Sequence, residues 1–338
     1  MSRIIRISIC SALFLLPSLL RAQDFKAYQN YDFVPGDQIV FEDDFRSDKD
    51  GEFPAHWKLT SGQAVINQMQ SEPVFALTQG NYVRVAPRMT NDSYLGNPFT
   101  VEFDFYAKAG AYPPILFLHR GDDDVEVHLG PEVSTSNLQN DLSAKYPGDE
   151  DAFNDKWHHA AIAARDGQLK VYEDQFRILV VPDMGNFKPQ SVAVGGLADQ
   201  DNPIVLKNVR VANGGGMTLI DKLTKEGRIV THGILFDVNK STVMPESMGT
   251  IQQVVAMLNA APAVKLEIGG HTDADGDAAT NLKLSQARAD AVKTLLVAQG
   301  IDASRLTTKG YGATKPLMPN TTPEGKANNR RVEFTKVN

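Results

Sequence analysis

From Gln38 to Ala212 the hydrophobic positions repeat every second residue; beyond Met217, runs of that kind alternate with runs at helical spacing. In Val101-Glu-Phe-Asp-Phe-Tyr, Phe103 and Phe105 fall on one face and Glu102, Asp104 and Tyr106 on the other. Val125 to Leu129 alternates in the same way. Asp166-Gly167 is a hairpin-turn signal ahead of Lys170-Val171-Tyr172, and Ile204 to Val211 supplies a closing strand. Many short strands punctuated by turns predict an all-β sandwich.

The downstream pattern predicts a short helix from Met217 to Arg228 and a strand from Ile229 to Phe236. A helix over Pro245–Asn259 follows, apolar at Met248, Ile251, Val254, Val255 and Leu258, with Pro245 in its first turn. Val264 to Ile268 reads as a strand. A helix from Asn281 to Gln299 is stopped by Gly300. Leu306 to Tyr311 and Arg331 to Val337 complete the order β-α-β-α-β-β, an α+β fold with a helix-covered mixed sheet.

The length of 338 residues suits two domains. The boundary falls at residues 213–216, Asn-Gly-Gly-Gly, because consecutive glycines hold neither helix nor strand well. This gives a sandwich domain at 38–212 and an α+β domain at 217–338. Residues 1–22 read as a secretory signal peptide, with Arg3 and Arg6 ahead of an apolar run and a small residue, Ala22, at the cut. An uncleaved membrane anchor is the competing reading, but the run is about 14 residues against the about 20 that span a bilayer. Residues 23–37 are expected to form a flexible lead-in. The single cysteine, Cys10, lies in the signal segment, so the exported chain has no thiol for disulfides, catalysis or metal binding. The net charge is −7, and loss of Arg3, Arg6 and Arg21 takes it to about −10. Such an acidic protein is not expected to bind nucleic acid.

The most informative stretch runs from Gly269 to Arg288. A strand ends in a turn presenting Thr272 and Asp273, and a helix then carries Arg288. An acid and a guanidinium offered from neighbouring elements can hold a small zwitterion, ammonium on one and carboxylate on the other. The spacing Thr-Asp-x-x-Gly-x-x-x-x-Asn-x-x-Leu-Ser-x-x-Arg-Ala resembles the peptidoglycan-binding domain of the OmpA family, shared with Pal and MotB. Leu235 to Ser241, Gly300 to Leu306, Gly310 to Pro316 and Asn320 to Glu333 continue the resemblance over about residues 229–334. The resemblance implies binding of meso-diaminopimelate in the peptidoglycan stem peptide. Asp273 would take the ammonium and Arg288 the carboxylate, with Asp237, Thr272, Asn281 and Arg331 completing the pocket. It also implies a place in the periplasm of a Gram-negative envelope, associated with the outer membrane and peptidoglycan. Where the family usually has arginine, this chain has Lys326, which keeps the charge.

The upstream region resembles concanavalin-like and laminin-G-like jelly-roll sandwiches. The resemblance rests on Phe41 to Phe45, Gly51 to Trp57 and Lys156 to Asp174. It implies a glycan or an outer-membrane protein as partner, and names neither. A transmembrane β-barrel is the alternative, opposed by alternating runs of about 5 to 8 residues where barrel strands need about 10. An enzyme is the rival function. Jelly-roll glucanases carry a third acid after a pair like Glu102 and Asp104, but Tyr106 and Ala107 occupy both places for it. No cofactor is expected. None of the seven histidines has metal-ligand spacing, and Asp122-Asp123-Asp124 lacks the pattern of a calcium loop, reading instead as a solvated turn.

Overall fold

The computed structural model describes residues 31–148, 150–214 and 219–337. The expected signal peptide with Cys10, the start of the lead-in, and Gly215 to Thr218 lie outside the described residues.

Among the described residues, thirteen antiparallel strands up to Asn213 form one hydrogen-bonded sheet. Lys156–Arg165, Phe99–Ala107 and Ile204–Asn213 lie side by side, and Gln38–Asp43 joins the last of these. The long strand Glu72–Pro87 turns the corner. Its first half pairs with Ile204 to Leu206, and its second half with Val194 to Gly196 of Ser191–Ala198. The bend lies where Gly62 and Gly80 meet: Gly62 has φ +84°, and a Cβ there would come within 2.4 Å of the Gln79 carbonyl. Among the described residues the sheet path ends at Phe176–Val181 and Ser143–Lys145, which are not paired to each other.

The alternation behaves as read on the inner side. Phe103 and Phe105 join Phe41, Phe45, Trp57, Phe75, Ile162 and Leu206 in a single core. Trp57 is a core residue whose Nε1 donates to Asp43 at 2.9 Å. Trp157 is half-buried beneath the Lys207 ammonium. No helix among the described residues is long and apolar enough to cross a membrane.

The C-terminal region has a separate core, from Leu223 to Phe334. Its four strands run in the order Arg228–Thr231, Val332–Val337, Lys265–His271, Leu306–Gly312. Only the last pair is parallel, so the sheet is mixed as expected. Helices Met248–Ala260 and Ala278–Ala298 match their patterns; the second starts three residues before Asn281 because Asp277 caps it, accepting from the Thr280 amide at 2.8 Å. The expected strand to Phe236 stops at Thr231. A helix at Pro323–Asn329, absent from the expected order, precedes the last strand; Thr322 caps it and proline occupies its first turn.

The lead-in is a correction. From Tyr31 onward it is docked, not flexible. Tyr31 and Phe33 are buried against Ala161 and Tyr172. Asp32 pairs with Lys170 and Arg177 and accepts from the Tyr172 hydroxyl. On the other side, Gly249 and Gly233 let the second region close over it: a Cβ on Gly249 would lie 2.4 Å from the Phe33 carbonyl, and one on Gly233 2.7 Å from Pro35. The segment is therefore packed between the two regions.

Candidate functional site

Close approach of backbone sets the site. A Cβ on Gly270 would fall 2.1 Å from the Ser285 carbonyl, and one on Gly310 2.6 Å from the Gln286 nitrogen. The Ala278–Ala298 helix thus lies directly on the two parallel strands. Ser285 is fully buried and its Oγ accepts from the Gly312 amide at 2.9 Å. Arg288, one turn further along the helix, reaches the rim.

The turn after Lys265–His271 is held from several directions. Thr272 donates its amide to the Gly312 carbonyl and its hydroxyl to the Asp273 carbonyl. Asn281 Nδ2 donates to the Asp275 carbonyl at 2.8 Å and to that of Asp273 at 3.5 Å. Asn320 accepts from the Ala274 amide, and Lys326 pairs with Asp275 at 2.8 Å. Asp273 is thereby fixed with its carboxylate 13% exposed; Oδ1 accepts from the Asp275 amide and Oδ2 from Arg330 at 2.7 Å.

Arg288 donates Nε to the Lys240 carbonyl at 3.0 Å and Nη2 to the Asp237 carbonyl at 3.4 Å, with its guanidinium over Phe236. Among the described residues it has no ion-pair partner. Burial, then the nearby Arg330 cation, push its pKa below the usual guanidinium range, against the pull of Asp273. Arg288, Arg330 and Asp273 therefore share one electrostatic neighbourhood, with two cations to one anion.

Five of the six expected residues gather here: Asp237, Thr272, Asp273, Asn281 and Arg288. Asp237 takes part through its carbonyl, since its carboxylate pairs with Lys240 at 3.2 Å. Thr272 and Asn281 brace the turn. Arg331 is placed elsewhere. It is buried, bonded to Glu333 and to the Asn329 and Lys315 carbonyls. The guanidinium on Asp273 belongs to Arg330, which ends the Pro323–Asn329 helix. The helix N-terminus is not open to a ligand carboxylate, because Asp277 already caps it. His271 stacks on Tyr311 with ring centroids 4.9 Å apart, as a packing residue.

The other acidic pair is closed off. Glu102 and Asp104 face away from the core of the sheet-rich region, where His159 pairs with both. Glu102 is 3% exposed, and Asn208 also donates to Asp104 at 2.6 Å. Two of the three acids at 122–124 are engaged too: Asp123 pairs with Arg120, and Asp124 with Arg84 and His119.

Residues 235–330 match the OmpA family. The chain is 46% identical over 100 residues to outer membrane porin F of Pseudomonas fluorescens, covering 30% of this chain and 31% of that protein. It is 38% identical over 106 residues to the peptidoglycan-binding protein ArfA of Mycobacterium bovis, covering 31% and 32%. Among solved structures, the cell wall anchor of the T6SS from Pseudomonas aeruginosa is 31% identical, covering 35% of this chain and 93% of that one, with a TM-score of 0.30. The chain thus spans about a third of the length of these two curated relatives. Residues 235–330 form an OmpA-family domain, and the sheet-rich region lies outside that match.

Proposed function

We propose that the protein is a non-catalytic component of a Gram-negative cell envelope, anchored to peptidoglycan through its C-terminal domain. The ligand is the meso-diaminopimelate of the stem peptide. Its side chain ends in an α-amino acid, so it needs one anion, one cation and a few directed hydrogen bonds. The observation that carries the reading is the pairing of a fixed carboxylate, Asp273, with a guanidinium, Arg288, whose hydrogen bonds go only to carbonyls. Thr272 and Asn281 hold the turn that presents the acid, and Asp237 positions the guanidinium through its carbonyl. Relatives named for the outer membrane and for peptidoglycan binding support the same placement.

For the sheet-rich region we propose a jelly-roll-like sandwich that binds a glycan or an outer-membrane protein. Its bent sheet and single filled core support that architecture. The hydrolase reading draws no support from Glu102 and Asp104, which His159 and Asn208 already engage. Export to the periplasm follows from the signal-like segment at 1–22.

Titration of the exported chain with two stem peptides tests the site. One ends in meso-diaminopimelate; the other carries lysine there, keeping the ammonium and lacking the carboxylate. Clear preference for the diaminopimelate peptide is expected, and equal affinity would refute the reading.

A further inference from the structure

Asp273 is the end of a line of alternating charges that begins in the other region. Arg210, on the Ile204–Asn213 strand, donates Nε and Nη2 to Glu42 Oε1 at 2.8 and 2.5 Å. The other oxygen of Glu42 accepts from Arg330 Nη2, and Arg330 Nη1 reaches Asp273. Glu42 lies on the first described strand, 288 residues from Arg330 in sequence. The junction is fixed by backbone. Asn328 accepts from the Ile39 amide at 3.1 Å and donates to the Ile39 carbonyl at 2.9 Å, while Ile39, Ala212 and Ala327 pack together. Side-chain exposure is 13% at Glu42 and Asp273 and 19% at Arg210, where water screens weakly, and 42% at Arg330, where it screens more.

This line bears on the ligand because Arg330 occupies the carboxylate assigned to the ligand's ammonium. A lone guanidinium there would cancel Asp273 and repel a second cation. Glu42, which Arg330 shares with Arg210, offsets part of that positive charge. Burial opposes ionisation of Glu42, but Arg210 and Arg330 overcome it and hold its carboxyl below the usual range, so it is charged wherever Asp273 is needed.

We propose that Glu42, in the sheet-rich region, is a positioning residue of the peptidoglycan site: it holds Arg330 and offsets part of its charge, so that Asp273 stays attractive to an ammonium while Arg288 serves the carboxylate. The inference rests on the diaminopimelate reading above. It makes the site a joint product of both regions, complete only when they are docked.

Calorimetric titration of the exported full chain with the stem peptide ending in meso-diaminopimelate tests this in wild type, Asp273→Ala, Glu42→Gln, Glu42→Asp, Arg330→Gln and the Glu42→Gln/Arg330→Gln double variant. Glu42→Gln is expected to weaken binding about tenfold, equivalent to about 1.4 kcal/mol. In the Arg330→Gln background the same change is expected to have less than about a twofold effect, because Glu42 acts through Arg330. A residue that only stabilised the fold would not show that cancellation. Glu42→Asp retains a charge for Arg210 with a shorter reach, so it tests the idea even if the glutamine variant misfolds; a loss of about threefold is expected. Wild-type affinity in a folded Glu42→Gln, or in Glu42→Asp where the glutamine variant misfolds, would overturn the inference while Asp273→Ala binding is lost. An equal tenfold loss in the Arg330→Gln background would overturn it too. If Asp273→Ala binds as wild type, the diaminopimelate site itself is wrong, and this proposal falls with it.

Discussion

The two regions each carry a cluster of acids and bases, and the clusters differ in how the base is paired. In the sheet-rich region, His159 stands between Glu102 and Asp104, and Asn208 adds a further bond to Asp104. Burial works against a charge on His159, but Asp104 and Glu102 overcome it and raise its pKa well above the ordinary value. In the OmpA-family domain, Arg288 rests on two carbonyls and the Phe236 ring, beside Asp273 and a second cation. His159 is held between two acids in the first cluster, although its Nε2 and one Glu102 oxygen make no hydrogen bond among the described residues; in the second, Arg288 has no acid partner among the described residues.

The contrast can be broken by mutation. Glu102→Ala leaves His159 facing one acid instead of two in a buried site. Asp104 still pairs with it, so the change is expected to cost about 1–3 kcal/mol of stability in urea unfolding, with peptide affinity per folded molecule close to wild type. Altered affinity would link that cluster to the site. Asp273→Ala and Arg288→Ala should do the reverse. Each is expected to weaken the diaminopimelate peptide by about 2–5 kcal/mol, less than additively in combination, while the urea midpoint stays close to wild type. Retained affinity in both single variants would show the open cluster to be structural as well.

Gly270→Ala sharpens the comparison at the backbone. Its Cβ would collide with the Ser285 carbonyl, lifting the helix that carries Arg288. A loss of about 1–3 kcal/mol in stability together with weaker binding is expected. Normal stability would show that the helix does not rest on that strand.

The regions should also differ with pH. Burial raises Glu173 to about 8 from 4.5, so the folded chain keeps a proton that the unfolded chain releases. The stability from this group is full below about pH 4.5 and is lost as pH rises through about 8. In the other domain, burial and then Arg331 lower His271 to about 4 from 6.5. Its contribution is present above pH 6.5 and is lost as pH falls towards 4. Glu173→Gln should therefore remove a decline of up to about 1.4 kcal/mol per pH unit between pH 5 and 8. His271→Gln should lessen the fall on the acid side. Unaltered pH profiles in urea titrations would contradict both assignments.

Much of this was written locally. Period-two runs marked Phe99–Ala107 and its neighbours, and helical spacing marked Met248–Ala260, because side-chain alternation is a property of the strand or helix itself. The motif from Gly270 to Arg288 placed acid and guanidinium on adjoining elements, and the helix that carries Arg288 packs on the strand before Asp273 through Gly270 and Ser285. The helix Pro323–Asn329 had its signal in Thr322-Pro323, a cap followed by a first-turn proline, and that signal went unused.

Other features required the whole fold. Arg330 and Arg331 are neighbours of equal charge, and nothing local says which one meets Asp273. That depends on how the preceding helix ends and on Glu42, far away in the chain. The lead-in from Tyr31 reads as polar and aromatic, yet it is fixed because two regions close on it. Glu102 sits at an outward position of its strand and is nevertheless buried, because its burial depends on what packs over that face. The sequence by itself determined most of the strands and helices, since these follow from short-range periodicity. Only the tertiary structure decided which arginine faces the acid and which charges are covered, because ion pairing and desolvation are set by distance in space, to which separation along the chain is blind.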